Sequence, residues 1–261
     1  MGLRALNLEN WLERDDNYGD EIALKRKLYA EQAEQVFAVL PEGLVGSTET
    51  LELISNQLSH CDVSNQVFEP ELHPLHSASL LVQEDLCVMS KLAGQWKLTA
   101  ASVCFPSRWD LTEKIGTSLA QIHAPVPHYA QRIGPATDAM FDKFEVERPV
   151  WRLNWTILDN PELFQPRVIS GELDPESSLA QFAQNLYLRI ERQTLRVLPV
   201  SKDVLFTIRT YVDSLAAIAQ RYPEFQANIA QTLQAVSPET RTYKGWDRLW
   251  DKLQDWSAAT Q

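Results

Sequence analysis

Two stretches of strict alternation frame this chain. In 151–157, Trp151, Leu153, Trp155 and Ile157 fall on one face and Arg152, Asn154 and Thr156 on the other, the period-two signature of a half-buried strand. In 204–212, Phe206, Ile208, Thr210 and Val212 share one face while Thr207, Arg209 and Tyr211 share the other. A strand over 186–198 changes phase midway: Leu186, Leu188 and Ile190 occupy one face, Leu195 and Val197 the opposite one, with Glu191-Arg192-Gln193-Thr194 at the change. Either a bulge sits there or polar groups point inward. Upstream, a strand near 86–90, a turn at Ala93-Gly94 and a returning strand from Trp96 to Phe105 predict a hairpin, ended by Pro106.

Helical patterns surround these strands. Residues 20–40 are rich in Ala, Leu, Glu, Lys and Arg and stop at Pro41; helices at 48–59 and at 74–86, opened by Pro74, complete a helical cap over 1–85. After the hairpin, Asp110 and Glu113 have the spacing of a capping box, and Ile115, Leu119 and Ile122 recur on one stripe until Pro125 and Pro127 forbid continuation. A second short helix is expected around 135–146, and a long Pro-, Gly-, Asp- and Ser-rich loop over 159–180. The last helix carries Trp246, Leu249, Trp250, Leu253 and Trp256 at helical spacing, a stripe expected to dock on the domain. This order predicts an α+β fold: an antiparallel sheet with helices on one side. One domain over 1–261 is expected, divided into the cap at 1–85, a core at 86–212 and C-terminal helices at 213–261.

Composition narrows the function. With 261 residues, 44% hydrophobic, the chain can bury a substantial core, and its 35 acidic against 24 basic residues give a formal charge of −11. That balance argues against nucleic acid and against an anionic membrane surface. No apolar run is long enough for a membrane span, and the N-terminus lacks a signal core, so a cytoplasmic protein is expected. Cys61, Cys87 and Cys104 are widely spaced and include no C-x-x-C pair, which argues against a disulfide framework, a zinc site or a protein-held iron–sulfur cluster. G-x-G-x-x-G, a P-loop, H-E-x-x-H and G-x-S-x-G are all absent.

His123 is the best metal-ligand candidate, since it lies on the Ile115/Leu119 stripe and projects from the last turn of the helix. Position alone permits a second role, because the macrodipole favours a histidine at a helix C-terminus by about 0.3–1 kcal/mol. His128 lies beyond both prolines and reads as exposed, His73 and His76 flank Pro74 at a helix start, and His60 receives no role.

Several strings, taken in order, resemble one family: Gln83-Glu84-Asp85-Leu86, Cys104-Phe105-Pro106-Ser107 with Trp109, Lys114-Ile115-Gly116, Ile122-His123-Ala124-Pro125-Val126-Pro127, Arg152-Leu153-Asn154-Trp155, Glu191-Arg192-Gln193-Thr194-Leu195, Leu198-Pro199, and Phe206-Thr207-Ile208-Arg209-Thr210-Tyr211. They are similar to the haem-dependent oxidative N-demethylases and run from about residue 18 to about 245.

The resemblance implies a PAS-like haem-binding core that holds haem b, activates O2 and demethylates a small amine such as dimethylamine. Electrons would come from separate flavin and iron–sulfur reductase subunits, since this chain has no signature for either group. His123 becomes the expected proximal iron ligand. Arg152, Asn154, Arg192 and Arg209 become candidates to stabilise charge on bound O2 or, for the arginines, to clamp haem propionates. Glu191 becomes the partner for a protonated amine or for a neighbouring arginine, Lys114 a propionate contact or a solvated residue, and Trp155 a side chain packed on the porphyrin. Ser107 is expected to help start the following helix. Alternation does not say which sheet face meets the haem. Two other readings stand beside the oxygenase: a non-catalytic haem PAS sensor of O2, CO or redox state, and a binding protein that no longer takes haem.

Overall fold

Seven antiparallel strands form one sheet, in the order β1 (Arg4–Ala5), β5 (Val150–Leu158), β6 (Tyr187–Val197), β7 (Val204–Ser214), β3 (Asp85–Leu92), β4 (Gln95–Ser102) and β2 (Phe37–Val39). The computed structural model describes residues 2–59, 71–127, 134–168, 171, 174 and 176–259. His60, Cys61, His128 and part of the 159–180 loop lie outside them. The α+β antiparallel architecture is the one the alternation predicts. The first 85 residues are more than a helical cap, because β1 and β2 supply the two edges of the sheet. The hairpin turn falls at Ala93-Gly94, both with positive φ (49° and 80°), as a two-residue turn between twisted strands requires.

The phase change in β6 is not a bulge. Its ladder with β7 runs without slip from Tyr187 opposite Ser214 to Val197 opposite Val204, and that with β5 is equally regular. The strand instead passes between two cores on opposite faces. Leu188 and Ile190 pack with Trp155, Ile157, Phe182 and the C-terminal helices. Leu195 and Val197 face the other way, into a cluster with Cys87, Leu98, Leu119 and Phe141. At the changeover the apolar pattern lapses, and polar side chains occupy both faces.

Most of the helices cover one face. Its N-terminal half is covered by Trp11 together with α2 (Leu44–Ser59) and α3 (Pro74–Ser79), which join Leu86, Val88, Ala100 and Leu205 in one cluster. Its other half is covered by α6 (Leu179–Gln184), α7 (Leu215–Arg221), α8 (Phe225–Gln234) and α10 (Trp250–Ala258). The tryptophan stripe therefore docks on the domain itself. It also closes the β5 edge: Trp246 Nε1 donates to Ile157 O at 2.9 Å and Lys244 Nζ, just past α9 (Pro238–Tyr243), to Trp155 O at 2.7 Å. Against the opposite face lie α4 (Leu119–Ile122) and α5 (Gly134–Phe141).

Several expected helices are shorter than predicted: the one expected over 20–40 ends at Val36, where the chain enters β2, and the one expected over 135–146 ends at Phe141. The one begun at Pro74 ends at Ser79, because Lys25 of α1 (Tyr18–Val36) reaches the backbone beyond it. The buried Lys25 ammonium takes the carbonyls of Ser79 (3.3 Å), Val82 (3.0 Å) and Glu84 (2.6 Å), satisfying acceptors that a continuing helix would have used internally. The helix expected from Asp110 to His123 is two pieces. Asp110 does cap a single turn at Leu111–Glu113, but Gly116 (φ 76°) turns the chain so that its N–H donates to Leu98 O at 2.8 Å, while Leu98 N donates to Thr117 O at 3.1 Å. Ser118 and Gln121 then form a fresh capping box for α4.

Candidate functional site

His123 is the C-terminal cap residue of α4. Its imidazole is partly buried, and Nδ1 lies 2.8 Å from the carbonyl oxygen of Leu119. A carbonyl only accepts, so Nδ1 carries the proton. Burial depresses the histidine's pKa, the Leu119 bond opposes that, and the cations of Arg152 and Lys114 depress it further. The ring is therefore neutral around pH 7, with its lone pair on Nε2. The hydrogen bond also closes the helix end, so the capping role coexists with a tautomer suited to holding a metal.

Strand register sorts the other candidates by face. Arg152 lies opposite Gln193, Asn154 opposite Glu191, and Glu191 opposite Thr210, which puts all five on the face that carries α4. They form a polar strip. Arg152 Nε donates to Gln193 Oε1 at 2.7 Å, while Gln193 Nε2 (2.9 Å) and Asn154 Nδ2 (3.2 Å) both donate to Glu191 Oε2. Arg189, buried beneath, has Nε 3.7 Å from Glu191 Oε1 and donates through its other nitrogens to Leu163 O and Phe105 O. The Thr210 hydroxyl is buried in this strip and has no hydrogen-bond partner among the described residues. Arg152 and Asn154 are exposed, Glu191 half-buried, and Phe206 and Ile208 on the same face are only partly covered.

The structure thus brings together His123, Lys114, Arg152, Asn154 and Glu191. It does not bring Arg192, Arg209 and Trp155 to that group, because each occupies the opposite face. Arg192 donates to the carbonyls of Asn10 and Trp11 and pairs with Glu13 at 3.2 Å. Arg209 pairs with Asp15 at 2.6 Å and Glu21 at 3.0 Å. Both arginines fasten the N-terminal segment to the sheet, and Gln83 and Glu84 help by accepting the backbone N–H groups of Asp15 and Glu13. Trp155 lies against Trp246, with ring centroids 5.6 Å apart and the rings tilted by 30°. Ser107 starts no helix but forms a bridge to Gln165.

Sequence reasoning missed Gln193, Arg189 and Thr210. Gln193 shares the period-two face of Glu191 along β6, so counting would have found it once the bulge was set aside, whereas Thr210 needed the pairing of β6 with β7 as well. Arg189 gave no such signal, since its partners are backbone carbonyls distant in sequence.

Among the described residues, no helix is long and apolar enough to cross a membrane. Family comparison gives a direct result: the model for "haem-dependent oxidative N-demethylase, alpha subunit-like" proteins matches residues 2–62 and 54–254, nearly the whole length. Taken with a neutral histidine set beside a polar strip, that match means the chain belongs to the haem-dependent oxidative N-demethylase alpha subunit-like family.

Proposed function

We propose that this protein is a haem-dependent oxygenase that removes a methyl group from a small amine, with dimethylamine as the reference substrate and electrons from a separate flavin and iron–sulfur reductase. Haem b in a PAS-like core is part of the same reading. The observation that carries it is the His123 Nδ1–H bond to Leu119 in a chain of this family.

The residues present fit a haem. His123 offers Nε2 as a ligand atom, its tautomer held by Leu119 and its neutrality favoured by burial, Arg152 and Lys114. Among the described residues no group of three or more His, Cys, Asp or Glu stands ready for a bare ion, so a metal on His123 would take its remaining ligands from a cofactor. When bound, haem supplies the redox-active iron at which O2 is activated.

The chain's own residues have separable tasks. Arg152, a fixed positive charge oriented by Gln193, stabilises negative charge developing beside His123. Glu191 binds the protonated amine. Asn154 and Gln193 hold its Oε2, which leaves Oε1 and its link to Arg189 to adjust to a cation. The Thr210 hydroxyl, opposite Glu191, offers the amine or a water a further hydrogen bond.

The test is turnover. Hemin-loaded protein, supplied with NADPH and a flavin/iron–sulfur reductase system, should release formaldehyde from dimethylamine, and Glu191→Gln should lower that yield. Haem binding with no amine-induced spectral change and no formaldehyde would remove the oxygenase reading and favour a haem sensor.

A further inference from the structure

Arg108 is one of three described non-glycine residues with positive φ, at 55°. The other two, Ala93 and Lys202, sit in the turns of the β3–β4 and β6–β7 hairpins, where the geometry demands it. Arg108 lies in no hairpin. Its backbone is held by an N–H bond to Gln165 O at 2.6 Å, and its guanidinium crosses to the C-terminal segment, where NH1 donates to Lys244 O at 2.7 Å. The chain is built around that side chain: Gly245 has φ 67°, and a Cβ there would run into the guanidinium.

A simple tether would explain NH1 and nothing more. Nε of Arg108 is buried without a hydrogen-bond partner, and no carboxylate pairs with this arginine among the described residues. One further cation stands beside it, and a second belongs to the residue whose backbone carbonyl it holds. Arg248 is close enough to lower the pKa of Arg108, after burial, and Lys244 directs its ammonium to a backbone carbonyl, between the rings of Trp155 and Trp246. In a chain of formal charge −11, Arg108 is left with backbone carbonyl contacts and a neighbouring cation, Arg248, whose own carboxylate partner is Asp159; that describes a guanidinium lacking its anion.

The site adjoins the polar strip. Lys244 and Tyr243 both lie within electrostatic reach of Glu191, and Lys244 binds the strand at Trp155, three residues along β5 from Arg152, or roughly 10 Å. His123 and Arg152 thus mark one end of the strip, while Lys244, whose backbone carbonyl Arg108 holds, stands on the β5 edge within reach of Glu191. We propose that Arg108, with Lys244 and Arg248, is a carboxylate clamp for the propionate side chains of the haem, an inference that rests on the haem reading above.

The experiment compares two probes on the full chain by equilibrium Soret titration: hemin, with free propionates, and its neutral dimethyl ester. Wild-type protein should bind hemin at least about tenfold more tightly than the ester, about 1.4 kcal/mol. Arg108→Gln should abolish that preference and leave ester affinity unchanged. Equal wild-type affinity for both probes would overturn the clamp while the haem reading stands, an arm that needs no variant to fold. Binding of neither probe would overturn the haem reading and the clamp with it.

Discussion

His123 donates its Nδ1 proton to the carbonyl of Leu119, one turn back in a helix of only four residues. So short a helix has a weak macrodipole, and the carbonyl itself holds the ring. The orientation of the imidazole therefore depends on the local fold of 116–123, which starts at Gly116.

Gly116→Ala should weaken the protein through the backbone. At φ 76° an alanine is strained, although its Cβ would meet Leu40 Cδ1 only at an ordinary contact distance of 3.4 Å. A loss of about 1–2 kcal/mol is expected, read as a lower urea midpoint with an unchanged slope. An unchanged midpoint would mean the turn is not held in this conformation.

Lys25→Met should be among the most damaging single changes away from the candidate site. It strips three carbonyls of their donor and leaves the buried Asp85 carboxylate, 3.9 Å from Nζ, without its cation. The expected loss is about 3–5 kcal/mol. Asp85 also accepts the N–H groups of Cys104 and Phe105, so Lys25→Met with Asp85→Asn should recover only part of it. Full recovery in chemical denaturation would show that the carbonyls do not matter.

Asp203 predicts a pH dependence. Burial first, then the nearby Glu49 charge, push its carboxyl up to about 6 from an ordinary 3.8, although Ser90 and Ser201 oppose this. Because the folded pKa is raised, its contribution to stability is full below pH 4 and is lost as pH rises through 6. Asp203→Asn should therefore stabilise the protein above pH 6, by up to roughly 3 kcal/mol, and change little at pH 4. A gain of equal size at both pH values would contradict this.

Much of this was legible in the sequence because it is local. The alternation in β5 and β7, the Ala93-Gly94 turn and the tryptophan stripe depend on neighbours in the chain. Which polar residues share a face with His123 did not, since Arg152 and Arg192 look alike until the strands are paired and residues 10–21 are laid over one side. Gly116 marked a break that the periodicity of Ile115, Leu119 and Ile122 concealed, and Lys25 shortened α3 through contacts more than fifty residues away.

Glu191→Gln should separate substrate binding from haem binding. Removing the charge should weaken the dimethylamine-induced Soret shift by about tenfold or more, as expected for a lost charge-assisted hydrogen bond worth about 1.5–3 kcal/mol. Hemin affinity should not change. Loss of hemin binding instead would assign Glu191 to the architecture of the strip.

His123 as the iron ligand is decided by hemin titration of the wild type and His123→Ala, with circular dichroism as the control for folding. A saturable Soret band is expected in the wild type, shifted or lost in the folded variant. No saturable band in the wild type, or an identical band in the variant, would contradict it.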